Sequence, residues 1–184
     1  MGRYAIHTCS AILADPELVP DRPGLYAILL EQADALDEAC SEHGVALPPV
    51  RLGRRRVIYV GASQDSLRLR LKFHFGRDAR TSTFRMTLGA LLARQLQLRA
   101  TPTPGKKYFR FGGRAEEGAL TAWLKENVSV AVAEHADPFP WERRCIGSLE
   151  PLLNIRHQPD GDRARRLVEA RDLCAAPLSA GVSA

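Results

Sequence analysis

At 184 residues the chain is a little over one typical domain length, which predicts one domain with appendages rather than two full-sized domains. Hydrophobic residues make up 45% and charged residues 26%, enough to fill a core, and no stretch approaches the roughly 18 uninterrupted apolar residues a membrane helix needs. With 26 lysines and arginines against 21 acids, the net charge of +5 permits attraction to phosphates without demanding it.

Residues 1–22 read as an irregular N-terminal extension ending in the turn signals Pro20, Pro23 and Gly24, and LYAILL (25–30) as a buried strand. Residues 31–55 read as an insertion, first an acidic helical piece (QADALDEACSEHG) and then the loop VALPPVRLGRRR. The second strand is VIYVG, 57–61. Asp65 or Ser66 caps a helix running to about Phe75, and Thr81, Ser82 or Thr83 caps another from Phe84 to about Leu98. KYFRF predicts a short strand, Glu116 to Asn127 a helix, and VSVAVAEH (128–135) an alternating strand. Asp137 with Pro138 or Pro140 opens a helix from about Trp141 to Glu150, which Pro151 ends. After it, 157–184 form a basic tail with an amphipathic segment, its last ten residues disordered.

Cys9, Cys40, Cys145 and Cys174 lie far apart with no C-x-x-C pair, so neither a zinc ribbon nor a disulfide framework is indicated, and buried thiols are expected. The N-terminus has no long apolar run, and Ile6 stands where a myristoylation signal needs Ser or Thr, which predicts a cytoplasmic protein. The basic excess gathers at Arg54–Arg56, at Arg68, Arg70 and Lys72, and at Lys106, Lys107, Arg110 and Arg114, the last group interleaved with Tyr108, Phe109 and Phe111. Such mixing suits a nucleic-acid surface, with Arg68, Lys72, Lys106, Lys107 and Arg110 as candidate contacts. The same alternation also fits a half-buried strand with solvated charges.

Stepped at 100° per residue, the helix from Leu67 puts Leu67, Leu71 and Phe75 on one apolar arc and Leu69 and Phe73 on a second, with Arg70 and His74 between them. A cation and an imidazole wedged between apolar strips need partners, either a carboxylate of the fold or an anionic ligand. On the helix after Asp137, an apolar arc of Trp141, Cys145, Ile146 and Leu149 has Glu142 near its middle. Carboxylates are rarely placed there without compensation, so Glu142 is either a metal ligand or catalytic carboxylate, or the partner of Arg70 in an internal ion pair. Tyr26 and Tyr59 each place a phenol within a strand, a position equally suited to plain packing.

Taken together, Gly24-Leu25-Tyr26, Tyr59-Val60-Gly61, the helical L-x-x-R-L-x-x-H, and WERRCIGSLEPLLN resemble the GIY-YIG nuclease domain, over roughly residues 23–156. Leu25 and Val60 replace isoleucines, and Tyr26 and Tyr59 stand 33 positions apart (59 − 26), farther than is usual in the family. The resemblance implies an α/β fold with a small mixed or antiparallel three-stranded sheet flanked by helices, and a cleft holding Tyr26, Tyr59, Arg70, His74, Glu142 and Asn154. It implies a metal-dependent endonuclease acting on DNA. Glu142 would hold one divalent ion, Mg²⁺ with Mn²⁺ as a substitute, and Arg70 would brace the scissile phosphate. Tyr26 would accept the proton of the attacking water, or His74 would share that role; Tyr59 would position water or phosphate, and Asn154 would fix the glutamate or the backbone. A homodimer is compatible with this reading. A non-cleaving nucleic-acid-binding module, or an enzyme acting on a small phosphorylated metabolite, are its alternatives.

Overall fold

The computed structural model describes residues 4–32, 34–47, 51–76 and 78–176. In chain order the elements are β1 (Ala5–Thr8), α1 (Cys9–Ala14), β2 (Gly24–Leu30), α2 (Asp37–Glu42), β3 (Arg51–Leu52), β4 (Arg55–Ser63), α3 (Leu67–Phe75), α4 (Thr83–Leu91), β5 (Ala100–Pro102), β6 (Phe109–Phe111), α5 (Arg114–Asn127), β7 (Val128–Glu134), α6 (Phe139–Leu149) and α7 (Gly161–Ala175). Short 3₁₀ turns lie at Pro16–Leu18 and Ala79–Thr81.

The main sheet is antiparallel throughout and has five strands, in the order β1-β7-β2-β4-β3, where three were expected. The two additional strands lie at its edges. Residues 1–22 were expected to be irregular, but Ala5–Thr8 pairs with Ser129–Val132 and Thr8 then caps α1 by accepting from the Ala11 N–H. At the other edge the 31–55 insertion returns as β3, paired with the start of β4. The remaining strands, β5 and β6, form a separate hairpin.

Alternation along β2, β4 and β7 sorts side chains to two faces. Ile28, Leu30, Val128 and Val130 join α3, α4 and α5 in the larger core, while Leu29, Val57, Val60 and Ala131 pack against Ile146 of α6 on the other face. The pairing of β2 with β4 slips between Ile28 and Leu29, so that Tyr59 faces Ile28 and Val57 faces Leu29, with Ile58 as an extra residue.

Several helix boundaries follow the caps. Ser66 accepts from Leu69 N–H and Ser82 from Arg85 N–H, starting α3 and α4. Helix α4 stops at Leu91, short of the expected Leu98, because the chain continues as successive turns with Gln97 at φ 52. Helix α6 is entered through Pro138 with no side-chain cap, so Asp137 does not take the capping role expected of it; its backbone N–H donates to His135 Nδ1 instead. The last residues of the expected disordered tail lie outside the described residues from 177 on; Ala175 still belongs to α7. Among the described residues no helix is long and apolar enough to cross a membrane, and all four cysteines are free, Cys9 and Cys40 buried and Cys145 and Cys174 partly so.

Candidate active site

The two glycines of the strand motifs are there because of close approach. Tyr26 and Gly61 are cross-strand partners, and the Tyr26 ring lies so close over Gly61 that a Cβ there would overlap the phenol oxygen. A Cβ at Gly24 would strike the Ala133 carbonyl and Leu67. These contacts let α3 and the neighbouring strand pack tightly on β2, which brings the aromatic residues of β2 and β4 against α3. Tyr26 and Tyr59 then stack with ring centroids 6.2 Å apart.

His74 enters this stack from α3. Its imidazole is completely buried, 5.3 Å from the Tyr26 ring, 5.7 Å from Tyr59 and 5.4 Å from Phe84. Nε2 lies 2.6 Å from Tyr26 Oη, and Nδ1 lies 2.6 Å from Ser82 Oγ, the cap of α4. Burial first, and then the charge of Arg70, push the His74 pKa well below its ordinary value, so the ring is neutral at pH 7. One nitrogen therefore donates and the other accepts. Burial also raises Tyr26 well above the ordinary phenol value, with Tyr59 adding to the rise and Arg70 opposing it.

One turn before His74, Arg70 is half-buried and donates from Nε to Tyr26 Oη at 3.4 Å. Burial works against its charge, but its contacts with Tyr26 and Tyr59 more than offset this and leave its pKa raised. Its other side faces a cleft of about 350 Å³ that Tyr59, Glu142 and Asn154 also line. Tyr26 is only 2% exposed and sits one layer beneath that wall.

Glu142 reaches the cleft from the first turn of α6. The expected apolar arc around it is partial: Ile146 is buried, but Trp141 is 45% exposed, stacked under Arg144 at 5.5 Å and close to His135. The reason is that α6 packs on the sheet through one narrow stripe and leaves its N-terminal turn open. Glu142 is half-buried at the edge of that stripe, and no ion pair among the described residues includes it or Arg70. The internal Arg70–Glu142 bridge is thus not formed. Burial raises the carboxyl pKa, opposed by His157, the Ala62 backbone, Arg70 and Arg156. Among the described residues no cluster of three or more His, Cys, Asp or Glu stands ready to enclose a metal, so an ion here would rest on one carboxylate.

Asn154 closes the outer edge of β4. Beyond the short β3 that edge has no strand partner among the described residues, and the Asn154 amide replaces one: Oδ1 accepts from Val60 N–H at 2.9 Å and Nδ2 donates to Val60 C=O at 2.8 Å. Leu153 N–H donates to the carbonyl of the bulged Ile58 at 2.8 Å. Asn154 therefore fixes backbone, not the glutamate, and holds the end of the α6 segment against the strand that carries Tyr59.

These residues fall together in one region of the fold. The model of the GIY-YIG catalytic domain matches residues 24–172, well over half of the chain. The chain belongs to the GIY-YIG family. No curated protein and no solved structure matches it. GIY-YIG membership carries nuclease-type activity.

The basic candidates disperse. Arg68 is tied down by Glu17 at 2.6 Å and by the Val19 carbonyl at 3.0 Å, and with the exposed Lys72 it borders a groove against α1, away from the cleft. Lys106 and Lys107 are exposed in the β5–β6 turn, and Arg110 points outward near Asp78. Thr83, Arg156, His157 and Arg171 line the cleft without having been singled out from the sequence. The signal for Arg171 was available: it shares a helical face with Leu167, Ala170 and Cys174, a cation in an apolar stripe like Arg70.

Proposed function

We propose that the protein is a metal-dependent endonuclease that hydrolyses phosphodiester bonds in DNA. The observation that carries this reading is Glu142, a half-buried carboxylate on the cleft wall that forms no ion pair among the described residues while three arginines line the same cleft. A carboxylate kept from full solvation and left unpaired is matched by a cation supplied from outside.

A lone carboxylate beside open, solvated space suits Mg²⁺, which keeps several of its waters and binds through one or two carboxylates and phosphate oxygens; Mn²⁺ fits the same donors. Such an ion would supply charge neutralisation at the phosphate. Everything else falls to the protein's own side chains. Arg70, fixed on one side by Tyr26, presents its remaining donors to the phosphate and stabilises the charge that builds up in the transition state. Tyr59 borders the cleft and orients water or phosphate. The attacking water, oriented at the cleft wall, passes its proton inward to Tyr26 in the layer beneath, whose own proton passes to His74 Nε2 across the 2.6 Å bond. For that transfer His74 carries its hydrogen on Nδ1 and donates it to Ser82 Oγ. The phenol, a poor base at a pKa of about 10, then never has to hold a full negative charge in the core. The four free thiols fit a reducing cytoplasm as the place of action.

Supercoiled plasmid incubated with the protein and Mg²⁺ tests the reading. Nicking and linearisation that disappear with Glu142→Ala and with chelation support it. Equal residual nicking by wild type and Glu142→Ala, or binding of DNA without turnover under any divalent ion, refutes it.

A further inference from the structure

Helix α7 carries four arginines, and three of them are accounted for. Arg163 donates to the Glu150 carbonyl at 2.9 Å and lies 3.3 Å from Asp160, while Arg165 and Arg166 pair with Asp162 at 2.5 and 2.8 Å, Arg165 also with Glu169. Preceding the helix, Arg156 is exposed at the cleft mouth.

Arg171 differs. It is half-buried, and its one hydrogen bond among the described residues is from Nη2 to the Met86 sulfur at 3.5 Å, a weak acceptor. No carboxylate among the described residues lies within ion-pair distance of it, and burial holds its pKa below the ordinary arginine value, with Asp172 and Tyr108 only partly offsetting. Arg171 forms part of the wall of the cleft that holds Arg70 and Glu142. A guanidinium partly stripped of water and left with donors to spare is completed by an anion that comes and goes.

The position of α7 indicates which anion. The helix packs against α4 and β5, and Tyr108 in the β5–β6 turn lies near Arg171. Tyr108 is 48% exposed and follows the exposed Lys106 and Lys107. From the cleft, then, a cation at the wall leads toward an exposed aromatic ring and two lysines. A single small phosphate would need Arg70 alone, whereas this path repeats positive charge away from it.

We propose that Arg171 binds the phosphate neighbouring the scissile one, so that the DNA strand leaves the cleft over Arg171 toward the Tyr108 turn. This subsite rests on the nuclease reading above for its substrate and adds a residue from outside the strand motifs and the Arg70 helix. Arg171 is a substrate-binding residue here, and the bond-breaking chemistry stays with Arg70, Glu142 and the tyrosines.

The test separates one phosphate from several. Binding of a short labelled DNA duplex is followed by fluorescence anisotropy over a salt series, in the Glu142→Gln background so that no cleavage intrudes. Arg171→Gln, which removes the charge but keeps a polar side chain, should weaken binding about ten- to a hundredfold and reduce the slope of log affinity against log salt by about 1. Arg171→Lys should retain the slope and recover part of the affinity. With Glu142 intact, Arg171→Gln should slow cleavage of the duplex but leave hydrolysis of bis(p-nitrophenyl) phosphate, a single diester, unchanged. Unaltered affinity and slope in Arg171→Gln, or equal losses on the duplex and on the single diester, overturn the proposal. Wild-type cleavage of DNA that ignores Arg171 removes the subsite and leaves the nuclease reading standing. Binding whose slope depends on Arg171 in a protein that cleaves neither substrate does the reverse.

Discussion

The hydroxyl of Tyr26 and Nε2 of His74 meet at 2.6 Å inside the core, with Arg70 Nε 3.4 Å from the same phenol oxygen. Tyr26 stands between a neutral base and a fixed cation, and either one alone would lower the cost of taking its proton away. The arrangement predicts that Tyr26→Phe reduces kcat more than Tyr59→Phe. Single-turnover cleavage of a labelled duplex by the two variants checks this. The opposite order moves the proton-accepting role to Tyr59, which lines the cleft directly.

His74 also makes stability depend on pH. Its folded pKa lies well below the unfolded value of 6.5, so below that pH the unfolded chain binds a proton that the folded chain refuses. The associated stability is fully present above about pH 6.5 and declines as pH falls from there toward the folded value. Urea unfolding midpoints between pH 7 and the acid limit should decline in the wild type and decline less steeply in His74→Gln. Parallel slopes in the two proteins would contradict the burial of a neutral imidazole.

Arg70 is bidentate-capable and anchored, and a lysine is neither. Arg70→Lys should retain fold and much of the DNA binding yet lower kcat by about 10²–10³-fold, the usual cost of removing a fixed transition-state donor. Thermal melts alongside single-turnover rates separate this from a folding defect.

Gly61 has no room for a side chain because the Tyr26 ring occupies it. Gly61→Ala should destabilise the protein by about 1–3 kcal/mol through overpacking and suppress activity by displacing Tyr26 from His74. Denaturant titration gives the first number, and cleavage assays on the folded fraction give the second.

Asn154→Ala removes both partners of the Val60 peptide groups on a buried strand edge, at a cost of about 2 kcal/mol. Hydrogen exchange should show Val60 losing protection while Tyr26, in the interior strand, keeps it.

Much of the site was legible because its signals are local. Ser66 and Ser82 announce their helices by position, and Arg70 and His74 stand out as polar residues among apolar neighbours one turn apart. What stayed hidden depends on partners distant in sequence. The four residues of β1 are too few to alternate convincingly, and what makes them a strand is β7, more than a hundred residues later. Arg68 looks solvated on the helical wheel, but Glu17 and the Val19 carbonyl hold it. Leu69 and Phe73 form an arc on the same wheel and are nevertheless 49% and 40% exposed, since none of the described residues covers that side of α3. Trp141 is exposed for the same reason on α6. Glu142 stood out because the wheel placed it in an apolar stripe, and the structure keeps it at the stripe's edge, half-buried and facing the cleft.

The central claim is that the unpaired carboxylate of Glu142 is a seat for a divalent ion. Crystals of the wild type and of Glu142→Gln soaked in Mn²⁺ test it by anomalous scattering. A peak within bonding distance of the Glu142 oxygens that vanishes in the glutamine variant is the predicted result. A cleft with no peak in the wild type, or one that persists unchanged without the carboxylate, would contradict it.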